Sequence, residues 1–357
     1  MQPSSARNYS LDAARGILMM LGVVLHASNI YATGDSWLVK DSERSQAFEA
    51  ISDAIHVFRM PAFFWISGYF CALTFEKNGA DGLLRKRLPR LLIPLFSTWI
   101  TLNLAQELFS ASVEGKSMAG AILDGIPLYH LWFLVDLILY IGFAAALLPR
   151  LARFVAWGKR LETLPLWLMF PALALLSEAV SVAVRATGVA YDSVLGLTTL
   201  YRLAEHLPYF VAGIFMYAHP GARLTFLRTP VLLLVATLPL ALYAHEYTRG
   251  QGFVIGEFAV FVEAVMVWLS VAAVLRIFHD LVQRDSSVTR FMSDSAYSVY
   301  LFHHILVVML GSALLNYRMG PWPEFLIVCS TSLVVSALVH GLFIRRNRVA
   351  HMLFNGK

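Results

Sequence analysis

The sequence predicts an all-α, polytopic integral membrane protein with about ten transmembrane helices and both termini in the cytoplasm. Three observations carry that prediction. Of 357 residues, 58% are hydrophobic and 14% charged, and the mean hydropathy is +0.64. A soluble domain is about 45–50% apolar and about 25% charged. So little charge cannot cover so much apolar surface, which excludes a soluble globular protein, a disordered chain and a coiled coil. Second, the apolar runs are continuous over about 20 residues and do not alternate, which selects helices over barrel strands. Third, Lys and Arg fall unevenly on alternate loops, which sets the orientation.

Ten spans follow in order: 14–31, 55–75, 91–110, 129–148, 163–184, 203–218, 230–244, 257–278, 297–315 and 324–344. The first has Arg7 and Arg15 before an apolar stretch, as a signal peptide would. His26, Ser28 and Asn29 interrupt the place of a cleavage region, so it reads as a retained helix. The loops average about 15 residues, too short for a separate folded domain, so residues 1–357 read as one transmembrane domain. No internal repeat is visible, which disfavours common transporter folds.

With the N-terminus inside, 20 of the 28 Lys and Arg fall on cytoplasmic segments, seven on outside loops, and Arg59 within a span. The net charge of +5 is therefore read as positive-inside bias, and no nucleic acid is implied. Cys71 and Cys329 both sit inside apolar runs, which argues against a disulfide framework or a cysteine metal site.

Polar groups inside apolar runs are the candidates for chemistry, because a charge in hydrocarbon costs at least about 2.5–3.5 kcal/mol. Arg15 and His26 are eleven residues apart, three helical turns plus about 20°, so they share a face about 16 Å apart along the axis. Asp12, Met19, Gly22 and Asn29 continue that stripe. The bland alternative is a snorkelling Arg15 and a packed His26. Asp53, His56 and Arg59 form a second stripe near the outer leaflet, followed by Pro61, which can bend the helix. This stripe reads as a cavity wall or as an interfacial turn. Arg85, Lys86, Arg87 and Arg90 form the densest basic run, with Pro89 suited to a helix start. Cations at a helix start suit phosphate groups, although positive-inside bias alone would place them there.

Weaker candidates are His130 and Trp132, Glu205 and His206, and His303 with His304. The last two are adjacent and project about 100° apart, so they are expected not to share one cavity. No metal site is expected: HExxH spacing is absent. Walker, GxGxxG and GxSxG elements are absent as well, which argues against an ATP-driven pump, a dinucleotide enzyme and a common serine hydrolase.

Taken in order, these residues resemble a known family. Leu11-Asp12-Ala13-Ala14-Arg15 with His26 eleven residues on is similar to the first-helix signature of the membrane acyltransferase 3 family. Ile55-His56-Val57-Phe58-Arg59-Met60, followed by Phe63 to Phe70, resembles its second helix. Arg87-Leu88-Pro89-Arg90 resembles its RxxR element, His130 to Leu134 its fourth-helix motif, and Ser298 to His304 its ninth. The set covers about residues 8–345. Within the family, the chain looks most like a branch that succinylates osmoregulated periplasmic glucans. Phe302 before the histidine pair and Asp294 near the helix start are departures that bear on substrate identity more than on reaction type.

The resemblance implies a bacterial inner-membrane O-acyltransferase. It would move an acyl group, succinyl in that branch, from cytoplasmic acyl-CoA to a hydroxyl of a periplasmic glucan. The implied partners are acyl-CoA (succinyl-CoA in that branch), the glucan acceptor and the lipid bilayer. No cofactor would be permanently bound, and a homo-oligomer is compatible with this scheme. Arg15, Arg85, Lys86, Arg87 and Arg90 would then bind the donor. The pantetheine arm, similar in length to the Arg15–His26 separation, would present its thioester to His26 as general base, since an imidazole titrates near neutrality. His56, Arg59, His130 and His303 would line the acceptor or oxyanion side. An O-acetyltransferase of another surface glycan, and from another class a proton-coupled transporter using His26 and Asp53, remain alternatives at this point.

Overall fold

A computed structural model describes residues 8–34, 37–158, 162, 164–233, 235–237, 239–240, 243, 253–284 and 286–356. Apart from connecting loops and one small hairpin, the described residues are helical. The helices are α1 (Tyr9–Tyr31), α2 (Gln46–Arg87), α3 (Pro89–Thr98), α4 (Leu104–Val113), α5 (Met118–Leu123), α6 (Trp132–Gly158), α7 (Leu166–Arg185) and α8 (Leu200–Ala218). They continue with α9 (Pro220–Phe226), α10 (Phe253–Leu281), α11 (Ser287–Leu314), α12 (Pro321–Leu338) and α13 (Arg348–Asn355). π-helical turns occupy Trp99–Asn103 and Val339–Ile344. Strands β1 (Ser193–Val194) and β2 (Thr198–Thr199) pair antiparallel, Ser193 with Thr199.

Among the described residues seven helical runs are long and apolar enough to cross a bilayer. The expected first, fourth, fifth, eighth, ninth and tenth spans each coincide with one. The expected second and third spans lie on a single run, Gln46–Val113. At about 1.5 Å per residue, 68 residues far exceed the roughly 30 Å of hydrocarbon. Gly79 relieves this: its φ of 67° and ψ of −173° are non-helical and kink α2. Pro61, the expected bend, lies in regular helix, so the break falls at the residue that tolerates positive φ and not at the proline. The expected sixth span is α8, whose first two turns carry Arg202, Glu205 and His206; it is not among the seven. The expected seventh span lies only partly within the described residues, and no run there is among the seven.

The chain divides into two compact units. The first comprises Met1–Leu18, His56–Leu84 and Leu139–Ser293. Here α1 starts on Asn8, whose Oδ1 accepts from the Leu11 amide at 3.2 Å and the Ser10 hydroxyl at 2.8 Å, a side-chain cap. α2 and α8 cross at backbone contact, because a Cβ on Gly68 would overlap the Phe210 carbonyl and one on Gly213 the Trp65 carbonyl. α7 and α10 are joined by Arg185, which donates to Glu257 at 2.7 and 2.8 Å and to Glu178 at 2.7 Å. The indole of fully buried Trp268 also donates to Ser177 Oγ at 3.0 Å.

The second unit comprises Met19–Ile55, Arg85–Ile138 and Asp294–Lys357. Its core gathers Val23, Ala27, Ile30 and Tyr31 of α1 with Val299, Val307 and Val308 of α11 and Phe325 and Val328 of α12. α13 packs on α3, where Ser97 Oγ donates to the Leu353 carbonyl at 2.5 Å and Gly356 lies against the backbone of Arg90. Gly356 ends α13 in the left-handed conformation that favours glycine, with φ 63°.

Candidate active site

Four imidazoles and a tryptophan meet within the second unit. His26 lies about three-quarters of the way along α1 and is half-buried. Its ring stacks on Trp37 at 4.7 Å and 16°, and on His303 at 5.3 Å and 25°. His304 meets it edge-on at 5.1 Å. His130 stacks on His304 at 4.7 Å and 14° and meets His303 at 5.2 Å. His130, His303 and His304 are buried, so His26 is the ring of the four that keeps solvent exposure.

Local structure explains each position. The chain after α1 folds back on that helix: Asp41 N bonds the Ile30 carbonyl at 3.0 Å and Ser45 N the Tyr31 carbonyl at 2.8 Å. Lys40 Nζ donates to the carbonyls of Asn29 at 2.7 Å and Ala32 at 3.0 Å, a cation closing a helix C-terminus. That return sets Trp37 over His26. The π turn Trp99–Asn103 does the same for His130. Trp99 Nε1 donates to the Ile126 carbonyl at 2.8 Å, and Asn103 Nδ2 to those of Pro127 and Leu128, both at 3.0 Å. Tyr129 then adopts a positive φ of 46°, hydrogen bonds Glu107 and stacks on His304 at 5.3 Å. Tyr300 Oη fixes the next residue by donating to the His130 carbonyl at 2.6 Å.

The hydrogen bonds also set proton positions. His303 Nδ1 lies 2.7 Å from the Tyr300 carbonyl and 3.1 Å from that of Val299. Carbonyl oxygens only accept, so Nδ1 carries the proton and in the neutral ring Nε2 keeps the lone pair. His304 Nδ1 donates likewise to Gln106 Oε1 at 2.7 Å. Beside these rings, Gln106 Nε2 and Trp37 Nε1 are buried donors with no hydrogen-bond partner among the described residues. Among the described residues no group of three or more His, Cys, Asp or Glu is arranged to hold a metal.

Of the sequence-predicted residues, His26, His130 and His303 are brought together. His304 corrects the expectation that adjacent histidines would not share a site: the 100° between them straddles the His26 ring, and both touch it. Arg15, in the first unit, pairs with Asp12 at 3.3 Å, reaches Ser293 Oγ at 3.4 Å and lies over Phe70. Arg59 is buried there, its Nε donating to the Leu18 carbonyl at 3.0 Å, and His56 is exposed. Arg85, Lys86 and Arg90 are exposed and Arg87 is half-buried, around the α2–α3 junction. Sequence reasoning missed Trp37, Gln106 and Tyr129. Gln106 was detectable as a carboxamide in an apolar run; Trp37 sits in a loop with no periodic signal.

An apolar helical chain with a buried polar cluster of this kind is a membrane protein built for chemistry within or beside the bilayer. Residues 8–341 match the acyltransferase domain of the acyltransferase 3 family, and the chain belongs to that family. It is therefore an acyltransferase family member, which sets aside the carrier alternative. The chain is similar to glucans biosynthesis protein C of Escherichia coli O157:H7 (strain EC4115 / EHEC), 26% identical over 98% of this chain and 95% of that protein. The proteins of the same name from Escherichia coli K12 and Shigella dysenteriae serotype 1 show the same identity and coverage. No solved structure matches the chain.

Proposed function

We propose that the protein moves an acyl group, succinyl in the first instance, from acyl-CoA at the cytoplasmic face to a hydroxyl of a periplasmic glucan. The observation that carries this reading is the half-exposed His26 imidazole held between Trp37 and His303 in an otherwise buried cluster. His26 takes the proton of the acceptor hydroxyl as its oxygen attacks the thioester carbon. The carbonyl oxygen becomes an oxyanion, for which the spare N–H groups of Gln106 and Trp37 are suited donors. Collapse breaks the carbon–sulfur bond, and the CoA thiolate recovers the proton from the imidazolium. His303 and His304, with protons committed at Nδ1, present neutral rings that tolerate the transient charge on His26. His130 supports the cluster by its stack on His304.

The names of the relatives support a glucan acceptor. The 20 cytoplasmic Lys and Arg support ten helices in the inner membrane with both termini inside. That side is where Arg15 and the basic run Arg85, Lys86, Arg87 and Arg90 would attract a polyanionic donor. The test is mass spectrometry of periplasmic glucans from a deletion strain complemented with the wild type or with His26→Ala. The wild type is expected to restore the succinyl increment and His26→Ala to leave it absent at normal protein abundance. A fully active His26→Ala eliminates the base, and an acetyl increment reassigns the donor.

A further inference from the structure

A cavity of about 420 Å³ lies wholly within the first unit and shares no residue with the imidazole cluster. Its volume is in the range of small-ligand sites, about 300–1,000 Å³. Asn8, Ser10 and Leu11 contribute the first turn of α1; Arg223 comes from α9, and His279 from the last turn of α10. Among the described residues no carboxylate lines it. Trp65 is part of the wall; it is fully buried, and its indole Nε1 has no hydrogen-bond partner among the described residues. A buried, unused N–H costs about 1–3 kcal/mol, which a ligand acceptor would remove. Arg223 is braced for use: Nη1 donates to Tyr69 Oη at 2.9 Å while its guanidinium lies over the Tyr69 ring at 5.4 Å. Tyr69 in turn stacks on Trp65, so cation and indole are held by one aromatic column.

We propose that this cavity seats the phosphate-bearing head of the acyl donor, the nucleotide of acyl-CoA. Arg223 and the α1 N-terminus face the phosphate, and the indole N–H meets a neutral acceptor of the same ligand. The assignment rests on the acyl-CoA reading above. Under it, the basic run at the α2–α3 junction steers the donor and this cavity holds it. A phosphate ester is the shared chemistry of two sources, the donor and an anionic lipid headgroup, and the test separates them.

The experiment is calorimetric titration of CoA and 3′-dephospho-CoA into the full-length protein in nanodiscs of zwitterionic lipid, repeated with phosphatidylglycerol added. Arg223→Gln is expected to weaken CoA binding about tenfold or more, as loss of a charge-assisted hydrogen bond does. His279→Glu, at an exposed position, is expected to weaken it as well without loss of thermal stability. Tyr69→Phe should retain most affinity. Unchanged CoA affinity in both Arg223→Gln and His279→Glu, with acyl transfer intact, overturns this site and leaves the enzymatic reading standing. If the variants lose only a phosphatidylglycerol-dependent gain in melting temperature, the cavity is a lipid site and the assignment fails. Absence of both CoA binding and turnover in the wild type overturns the acyl-CoA reading itself.

Discussion

The carboxamide of Gln106 is used at one end and spare at the other. Its oxygen holds the His304 proton, and its nitrogen is buried without a partner. Natural cores leave few such groups, because the cost is about 1–3 kcal/mol. Gln106→Glu keeps the size and an acceptor for His304 but abolishes the donor. It is expected to lower kcat about 10²–10³-fold, the usual effect of removing one oxyanion donor, with KM little changed. A steady-state assay of both constants checks this, and an unchanged kcat removes Gln106 from the oxyanion role. Gln106→Leu should additionally lower stability, because it strands the His304 Nδ1 proton. At this scale the sequence was a partial guide. His26, His130 and His303 stood out because imidazoles are conspicuous among aliphatic neighbours. Trp37 and Gln106 join the site only through the loop that folds back on α1 and the hydrogen bond that reaches α11, neither of which leaves a periodic trace.

Apolar runs named the helices well, since a bilayer-crossing helix has to satisfy its backbone within itself. They named the joints poorly. Gly79, and not Pro61, carries the break in α2, and the π turn at Trp99–Asn103 that anchors residues 126–128 follows from no composition rule. Such turns concentrate at functional positions, as this one does beside His130. The crossing of α2 and α8 shows what a single glycine pair can decide. Gly68 faces the Phe210 carbonyl and Gly213 the Trp65 carbonyl, each too near for any Cβ. The obstacle is backbone on both sides, so no rotamer change relieves it. Gly213→Leu is expected to cost at least the upper part of the about 1–3 kcal/mol range for overpacking, read as a lowered unfolding temperature in detergent. Because Trp65 sits in the contact, CoA affinity should fall with it. A variant that melts like the wild type would mean that the two helices separate freely.

At the scale of the whole molecule, orientation decides whether the chemistry joins two compartments or stays in one. The orientation proposed from the charge count has Arg85 and Arg346 inside and Lys40 and Lys116 outside. The physical reason is that a segment dense in Lys and Arg resists translocation, while short loops with few are carried across. Both native thiols are buried, so single cysteines can be placed on a background lacking Cys71 and Cys329. In intact cells, Lys40→Cys and Lys116→Cys should react with a membrane-impermeant maleimide. Arg85→Cys and Arg346→Cys should react only after the membrane is opened. Lys40 bonds carbonyls at the end of α1, so Lys116, largely exposed beside Glu114, is the cleaner reporter. Labelling of Lys116→Cys only in opened cells would put the His26 end of α1 on the cytoplasmic side. An acceptor outside the membrane would then be unreachable, and transfer would have to occur between two substrates on the inner face.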